Sequence, residues 1–195
     1  MRLIINLILL ALVAFLVYLL IQSIREPIAF KAEKDKRETA VVDKLMKIRE
    51  AQEIYRSIHS GSFAGSWSDL KTTLKTGQIP YVSVLGDPDD PNFEGEITYD
   101  TTFIPAIDSV NALGWNVDSL QYIPYGGGKS FDIKADTLSY QKTLVNVVEV
   151  GTTRKNYMGK YASEAYRRYD VSYQPGSFIK FGDMSKPNLS GNWER

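Results

Sequence analysis

From Leu3 to Ile24 the chain is almost entirely Leu, Ile, Val, Ala and Phe, interrupted only by Asn6, Tyr18, Gln22 and Ser23. A helix rises about 1.5 Å per residue, so this run covers the roughly 30 Å hydrocarbon core of a bilayer. A buried helix of a soluble protein would carry polar residues at helical spacing. A cleavable signal peptide would have a shorter apolar run, with small residues before the cut. Residues 1–24 are therefore predicted to be an uncleaved, single-pass membrane anchor. Two polar side chains within it, Asn6 and Gln22, are candidates for lateral hydrogen bonds to other membrane proteins. Arg25, Lys31, Lys34, Lys36 and Arg37 follow the run against Arg2 before it, and the positive-inside count favours a cytoplasmic C-terminal part.

The rest of the 195-residue chain is one domain's worth of sequence. Over the whole chain 23 Lys and Arg balance 23 Asp and Glu, which argues against nucleic acid as a partner, since phosphate neutralisation needs a basic surplus. With no cysteine, disulfides, thiolate metal sites and a cysteine nucleophile are excluded. The single histidine, His59, argues against triads and multi-histidine metal sites.

Pro27 is expected to bend or briefly break the helix just past the anchor. A second long helix is predicted from about Phe30 to Ser60, with Val41, Leu45, Ile48, Ala51 or Gln52, Tyr55 and Ile58 forming one apolar stripe. Its first half, Lys31 to Glu38, is nearly all charged and is expected to be solvated; Glu33–Arg37 and Asp43–Lys47 are favourable i,i+4 pairs. Residues 25–60 thus read as a juxtamembrane stalk that Gly61 ends.

The head is predicted over residues 61–183. Ser66 and Asp69 form a variant capping box for a short helix carrying Leu70 and Leu74, closed by Gly77. Strands are expected at Tyr81–Leu85, Glu96–Tyr99, Leu120–Ile123, Ser130–Ala135, Thr143–Val150 and Ser177–Phe181, with Thr143–Val150 central. Met184 to Arg195 reads as a loop-like tail. The fold class is α+β, a helix packed on an antiparallel sheet.

Lys44 to Tyr55, then His59-Ser60-Gly61-Ser62-Phe63 with Ser66 and Leu70, resembles the Leu-x-x-Ile-x-x-Ala-Gln-x-x-Tyr stretch, Gly-aromatic turn and capped helix of type IV pilins and type II secretion pseudopilins. The resemblance covers roughly residues 1–75. It implies a hydrophobic helix running into a stalk, packed on an antiparallel sheet, with the head outside the cytoplasmic membrane. That match is longer than the five-charge tally and is weighed above it for topology. The chain is also similar to a group of Bacteroidota-type single-pass membrane proteins without an assigned function. They share this segment, a Ser-Leu-x-Tyr-Ile-Pro-like stretch (Ser119–Pro124) and a Gly-Asn-Trp-Glu ending (Gly191–Glu194). Met1-Arg2 leads straight into apolar residues and the span holds no acid, so the pilins' leader, peptidase site and intermolecular Glu contact are not expected.

Four short patterns invite chemistry. Gly126-Gly127-Gly128-Lys129-Ser130 ends like a phosphate loop, but position 123 is Ile and a strand follows where a helix is needed, so a glycine hairpin loop is the expectation. Asp87, Asp89 and Asp90 offer oxygens to Ca²⁺, although Asp and Pro are also what a surface turn requires. Ser68-Asp69-Leu70-Lys71 is more simply the first turn of a capped helix than an acylating pair, and His59 suits a helix C-terminus. Tyr157, Tyr161, Tyr166, Tyr169 and Tyr173 with Arg167 and Arg168 are either core or a surface for peptide, glycan or envelope polymer.

No convergent acid, base and nucleophile emerges, and no cofactor is implied. The expectation is a non-enzymatic structural or assembly subunit, single-pass in the cytoplasmic membrane, with a periplasmic head. Its partners would be the lipid bilayer and other envelope proteins, as a homo- or hetero-oligomer. The alternative is a tethered recognition module.

Overall fold

One helix, α1 (Arg2–Ile58), runs unbroken for 57 residues, about 85 Å at the helical rise. It is the spine of the computed structural model, which describes residues 2–85 and 98–194. Its apolar N-terminal run is exposed along its length and is long and apolar enough to cross a membrane. The break expected at Pro27 does not occur: the proline sits inside the helix. Its ring removes one hydrogen bond, to the Ser23 carbonyl. Contacts from the C-terminal part of the chain grip the helix on either side, at Glu26 and Phe30.

The C-terminal half of α1 buries Phe30, Val41, Leu45, Ile48, Ala51 and Gln52. It ends where Ser60 (φ 52°) and Gly61 (φ 93°) turn left-handed, and the Gly61 N–H donates back to the Arg56 carbonyl at 2.9 Å. A short helix α2 (Trp67–Thr76) follows, with the Ser66 hydroxyl accepting from the Asp69 N–H at 3.2 Å, as the capping pattern predicts.

Two small antiparallel sheets complete the head. β1 (Gln78–Leu85) and β2 (Thr98–Pro105) form a two-stranded ribbon, followed by a short helix α3 (Ala106–Ala112). β3 (Asp132–Tyr140), β4 (Thr143–Thr153) and β5 (Phe178–Gly182) form the second sheet, with β4 central as expected. Ile133 and Ala135 of β3, Val148 and Val150 of β4, and Ile179 and Phe181 of β5 share the face that joins the core. The β3–β4 hairpin turns on Gln141 and Lys142, both at positive φ, a two-residue turn without the usual Asn-Gly.

Two further expectations are corrected. Leu120–Ile123 is not a strand: Tyr122 makes one isolated bridge to Ser130, while Leu120 and Ile123 are buried in the core. The second strand reaches Pro105, well past Tyr99, and all its residues are exposed. The tail is loop-like, as expected, and it is pinned to the head. Gly191 bridges Phe181, Asn192 bonds Lys180 and Phe178, and Arg49 of α1 pairs with Glu194 at 2.7 Å. This segment covers the outer edge of β5, whose backbone groups would otherwise be open to another strand.

Candidate functional site

The stripe on α1 does not stop where its residues become charged. Glu26, Phe30, Lys34 and Glu38 recur every four residues and continue the line of Val41, Leu45, Ile48 and Gln52. A helix places such positions on one face. The expected solvation of Lys31–Glu38 is therefore corrected for half its members, because Glu33, Lys34, Arg37 and Glu38 are half-buried under residues 154–177.

Phe30 is the centre of this collar. Tyr166 stacks on it with ring centroids 5.1 Å apart, while Tyr173 (5.0 Å) and Tyr161 (5.6 Å) meet it edge-on. The Tyr173 hydroxyl donates to the Tyr161 carbonyl at 2.8 Å. Such edge and offset contacts suit the negative face and positive rim of the rings. Short 3₁₀ turns at Arg154–Asn156, Gly159–Tyr161 and Glu164–Arg168 deliver the tyrosines.

Polar pairs ring the aromatics. Glu26 accepts from the Tyr169 hydroxyl at 2.6 Å and from Arg168 at 3.1 Å. Lys34 pairs with Asp170 at 2.5 Å, and Arg37 donates to the Tyr157 carbonyl at 2.6 Å. Arg154 meets Glu38 at 2.7 Å and also donates to the Ser177 hydroxyl. The Lys34 ammonium and the Ser172 hydroxyl hold the Asp170 carboxyl down at about 2. The Glu26 carboxylate, by accepting the Tyr169 proton, raises that phenol above its ordinary range. Burial, with the negative charge of Glu38 nearby, pushes Tyr173 up to about 12, and burial raises Tyr157 further. The Tyr157 hydroxyl is buried with no hydrogen-bond partner among the described residues. The collar thus favours the protonated phenols of Tyr157, Tyr169 and Tyr173 and the ionised carboxylate of Asp170, and these contacts hold the C-terminal segment on the helix.

This placement settles where the tyrosines lie. Tyr157, Tyr161 and Tyr173 are interior, and Tyr166 and Tyr169 are half-buried against Phe30. The reading of Tyr157 and Tyr161 as a partner surface is corrected, because their rings are spent on the core. Arg167 and Arg168 remain exposed, the first near Glu164 at 4.0 Å and the second over the Tyr169 ring. Asn6 is exposed on the apolar half of α1, as is Gln22, whose amide donates to the Tyr18 hydroxyl at 3.3 Å. Asp87, Asp89 and Asp90 lie outside the described residues. The glycine loop closes as a turn, with Ile123 N–H donating to the Lys129 carbonyl at 2.9 Å and Lys129 donating to Asn156. His59 stacks on Tyr55 and shares a 3.0 Å hydrogen bond with Thr73.

Glu26, Phe30, Lys34, Glu38, Arg154 and Asp170 were not singled out by the sequence reading as site residues. The fourfold spacing of Glu26, Phe30, Lys34 and Glu38 is the one sequence signal, and it is masked because three of the four are charged; Arg154 and Asp170 carry no local signal. No protein-family model, curated protein or solved structure matches this chain.

Proposed function

We propose that the protein is a membrane-anchored, non-enzymatic assembly subunit, single-pass in a cytoplasmic membrane, with a pilin-like head on the extracytoplasmic side that acts through protein–protein contacts. The observation that carries this reading is the division of one helix into an unburied apolar half and a half that forms the spine of the head. A head welded to its own span moves as the span moves, so contacts made in the bilayer and contacts made by the head act on one rigid body. Support also comes from the ribbon β1–β2, which leaves Tyr81, Val82, Tyr99, Phe103 and Ile104 exposed. Val82, Tyr99 and Phe103 share one face of this edge-bearing ribbon and Tyr81 and Ile104 the other, and exposed apolar side chains of this kind suit contact with another protein. The extracytoplasmic side rests on the pilin resemblance of residues 44–70.

Cross-linking in intact membranes tests the reading. Cross-links joining the head to a second copy or to another envelope protein are expected, and purely monomeric recovery would overturn it. Proteolysis of the head in spheroplasts without lysis tests the side of the membrane.

A further inference from the structure

The head meets its own helix almost where the apolar run ends. Glu26 lies about 3 Å beyond Ile24 along the axis and Phe30 about 9 Å, while the headgroup layer on each side of a bilayer is about 5–8 Å thick. Helical side chains tilt toward the N-terminus, here the membrane side. The Glu26 carboxylate therefore lies at headgroup depth. So do the two groups of the C-terminal segment that bond it, the Tyr169 hydroxyl at 2.6 Å and the Arg168 guanidinium at 3.1 Å.

The chemistry of these groups suits that depth. A tyrosine, with an apolar ring and a wet hydroxyl, is favoured at a membrane–water interface. Arg168 is exposed, lies over the Tyr169 ring at 4.6 Å from its centroid, and reaches Glu26 through one edge of its guanidinium. Arg25, one residue before Glu26, is exposed and forms no ion pair among the described residues. Two guanidiniums thus stand against one carboxylate, which also accepts the Tyr169 hydroxyl, and a positive surplus is left where the head meets the span.

We propose that the Arg168–Tyr169 turn is a foot resting on the leaflet on the head's side, with Arg168 and Arg25 on the phosphates of anionic phospholipids and the Tyr169 ring among the headgroups. The foot is continuous with the span, so the leaflet that surrounds residues 3–24 is what covers it. Held at both the span and the foot, the head keeps a fixed tilt to the membrane. The proposal rests on α1 being a membrane span. Anionic lipids are preferred because a zwitterionic headgroup brings an ammonium to a site that already holds excess positive charge.

The test uses the full chain, which has no cysteine of its own, in phosphatidylcholine vesicles containing phosphatidylglycerol. Spin labels on Leu12→Cys, Arg167→Cys and Glu50→Cys report depth, through exposure to oxygen against exposure to a water-soluble nickel chelate. Glu50 lies about 39 Å beyond Ile24 and marks water. The label at 167, beside the proposed contact, is expected at a depth between the other two. Photoreactive phosphatidylglycerol should label the peptide 163–169 more than photoreactive phosphatidylcholine does at equal mole fraction. Arg168→Gln and Arg25→Gln should each lower the phosphatidylglycerol yield about fivefold, the scale of one cation at a charged leaflet, and leave the phosphatidylcholine yield unchanged. Arg25 takes no part in the hydrogen bonds of the collar, so its variant decides the matter should Arg168→Gln loosen the turn. A label at 167 as open to the chelate as the label at 50, equal yields for the two lipids, or a preference untouched by Arg25→Gln would overturn the foot. An open label at 167 with a shielded label at 12 would sink the foot alone, whereas a label at 12 as open as the label at 50 would sink the membrane span itself.

Discussion

The Gln52 side chain and the Ala64 backbone exchange two hydrogen bonds in the core: the amide donates to the Ala64 carbonyl at 3.0 Å, and the Ala64 N–H donates to the side-chain oxygen at 2.9 Å. Both residues are fully buried. The segment after α1 has no strand partner at this point, and the glutamine supplies what a neighbouring backbone would. Gln52→Leu fills similar space but leaves a buried N–H and carbonyl unpaired, so a loss of about 1–3 kcal/mol is expected. Denaturant unfolding of the detergent-solubilised chain measures it; an unchanged midpoint would contradict the arrangement.

Tyr157 and Tyr173 are both interior phenols, yet among the described residues only the Tyr173 hydroxyl has a partner. Tyr173→Phe removes a donor to the Tyr161 carbonyl and is expected to destabilise by about 1 kcal/mol. Tyr157→Phe removes a buried hydroxyl without a partner and is expected to be neutral or stabilising. Comparing the two unfolding midpoints decides the matter, and equal losses would mean that the Tyr157 hydroxyl has found a water or a neighbour.

The same burial gives an alkaline limit. A phenol whose folded-state pKa lies above the ordinary value of about 10 contributes stability that is intact below that value and lost as pH rises toward the folded one. With Tyr173 pushed up to about 12 and Tyr157 raised as well, stability should fall from pH 10 upward. Tyrosinate absorbance should show these two phenols ionising only as the head unfolds. Ionisation of all twelve tyrosines near pH 10 in a folded head would refute it.

Asp170 sets the opposite limit. Its carboxyl is held at about 2 by Lys34 and Ser172, below the unfolded value near 4. A depressed carboxyl stabilises above the unfolded pKa, and its contribution disappears as pH falls from about 4 through about 2. Asp170→Asn should therefore lower the unfolding midpoint at pH 7 and make no difference near pH 2. A gap that persists at the lower pH would assign the effect to packing rather than charge.

How much of this could be read from residues alone follows from what each element packs against. The apolar run, the stripe from Val41 to Gln52, the Ser66 cap and β4 are legible because their partners are apolar or local, and periodicity reports such burial directly. The collar is not legible in that way. Lys34 and Glu38 look solvated until Asp170 and Arg154, more than a hundred residues later, are known to meet them. Leu120–Ile123 has a strand's composition, but its apolar residues join the core from an irregular segment whose one ladder contact is the isolated Tyr122–Ser130 bridge. Pro27 was read by its local cost, which contacts on both sides of it outweigh. The tail is the loop its composition suggests, but the composition does not show that Asn192 and Glu194 bond across the fold to β5 and α1.

The ribbon separates folding from association. Phe103 on β2 lies opposite Pro80 on β1 and is 61% exposed, with Val82 and Tyr99 on the same face of the ribbon. An exposed side chain of this kind contributes little to the stability of its own chain. Phe103→Ser should leave the unfolding midpoint within about 0.5 kcal/mol of the original, while weakening cross-links between the head and its neighbour in intact membranes. If Val82→Ser acts in the same way and an exposed substitution elsewhere, such as Lys142→Ser, does not, the ribbon is the contact surface. Loss of folding in both ribbon variants would instead place the ribbon in the core, and undiminished cross-links would move the assembly contact to the span, where Asn6 and Gln22 become the next positions to change.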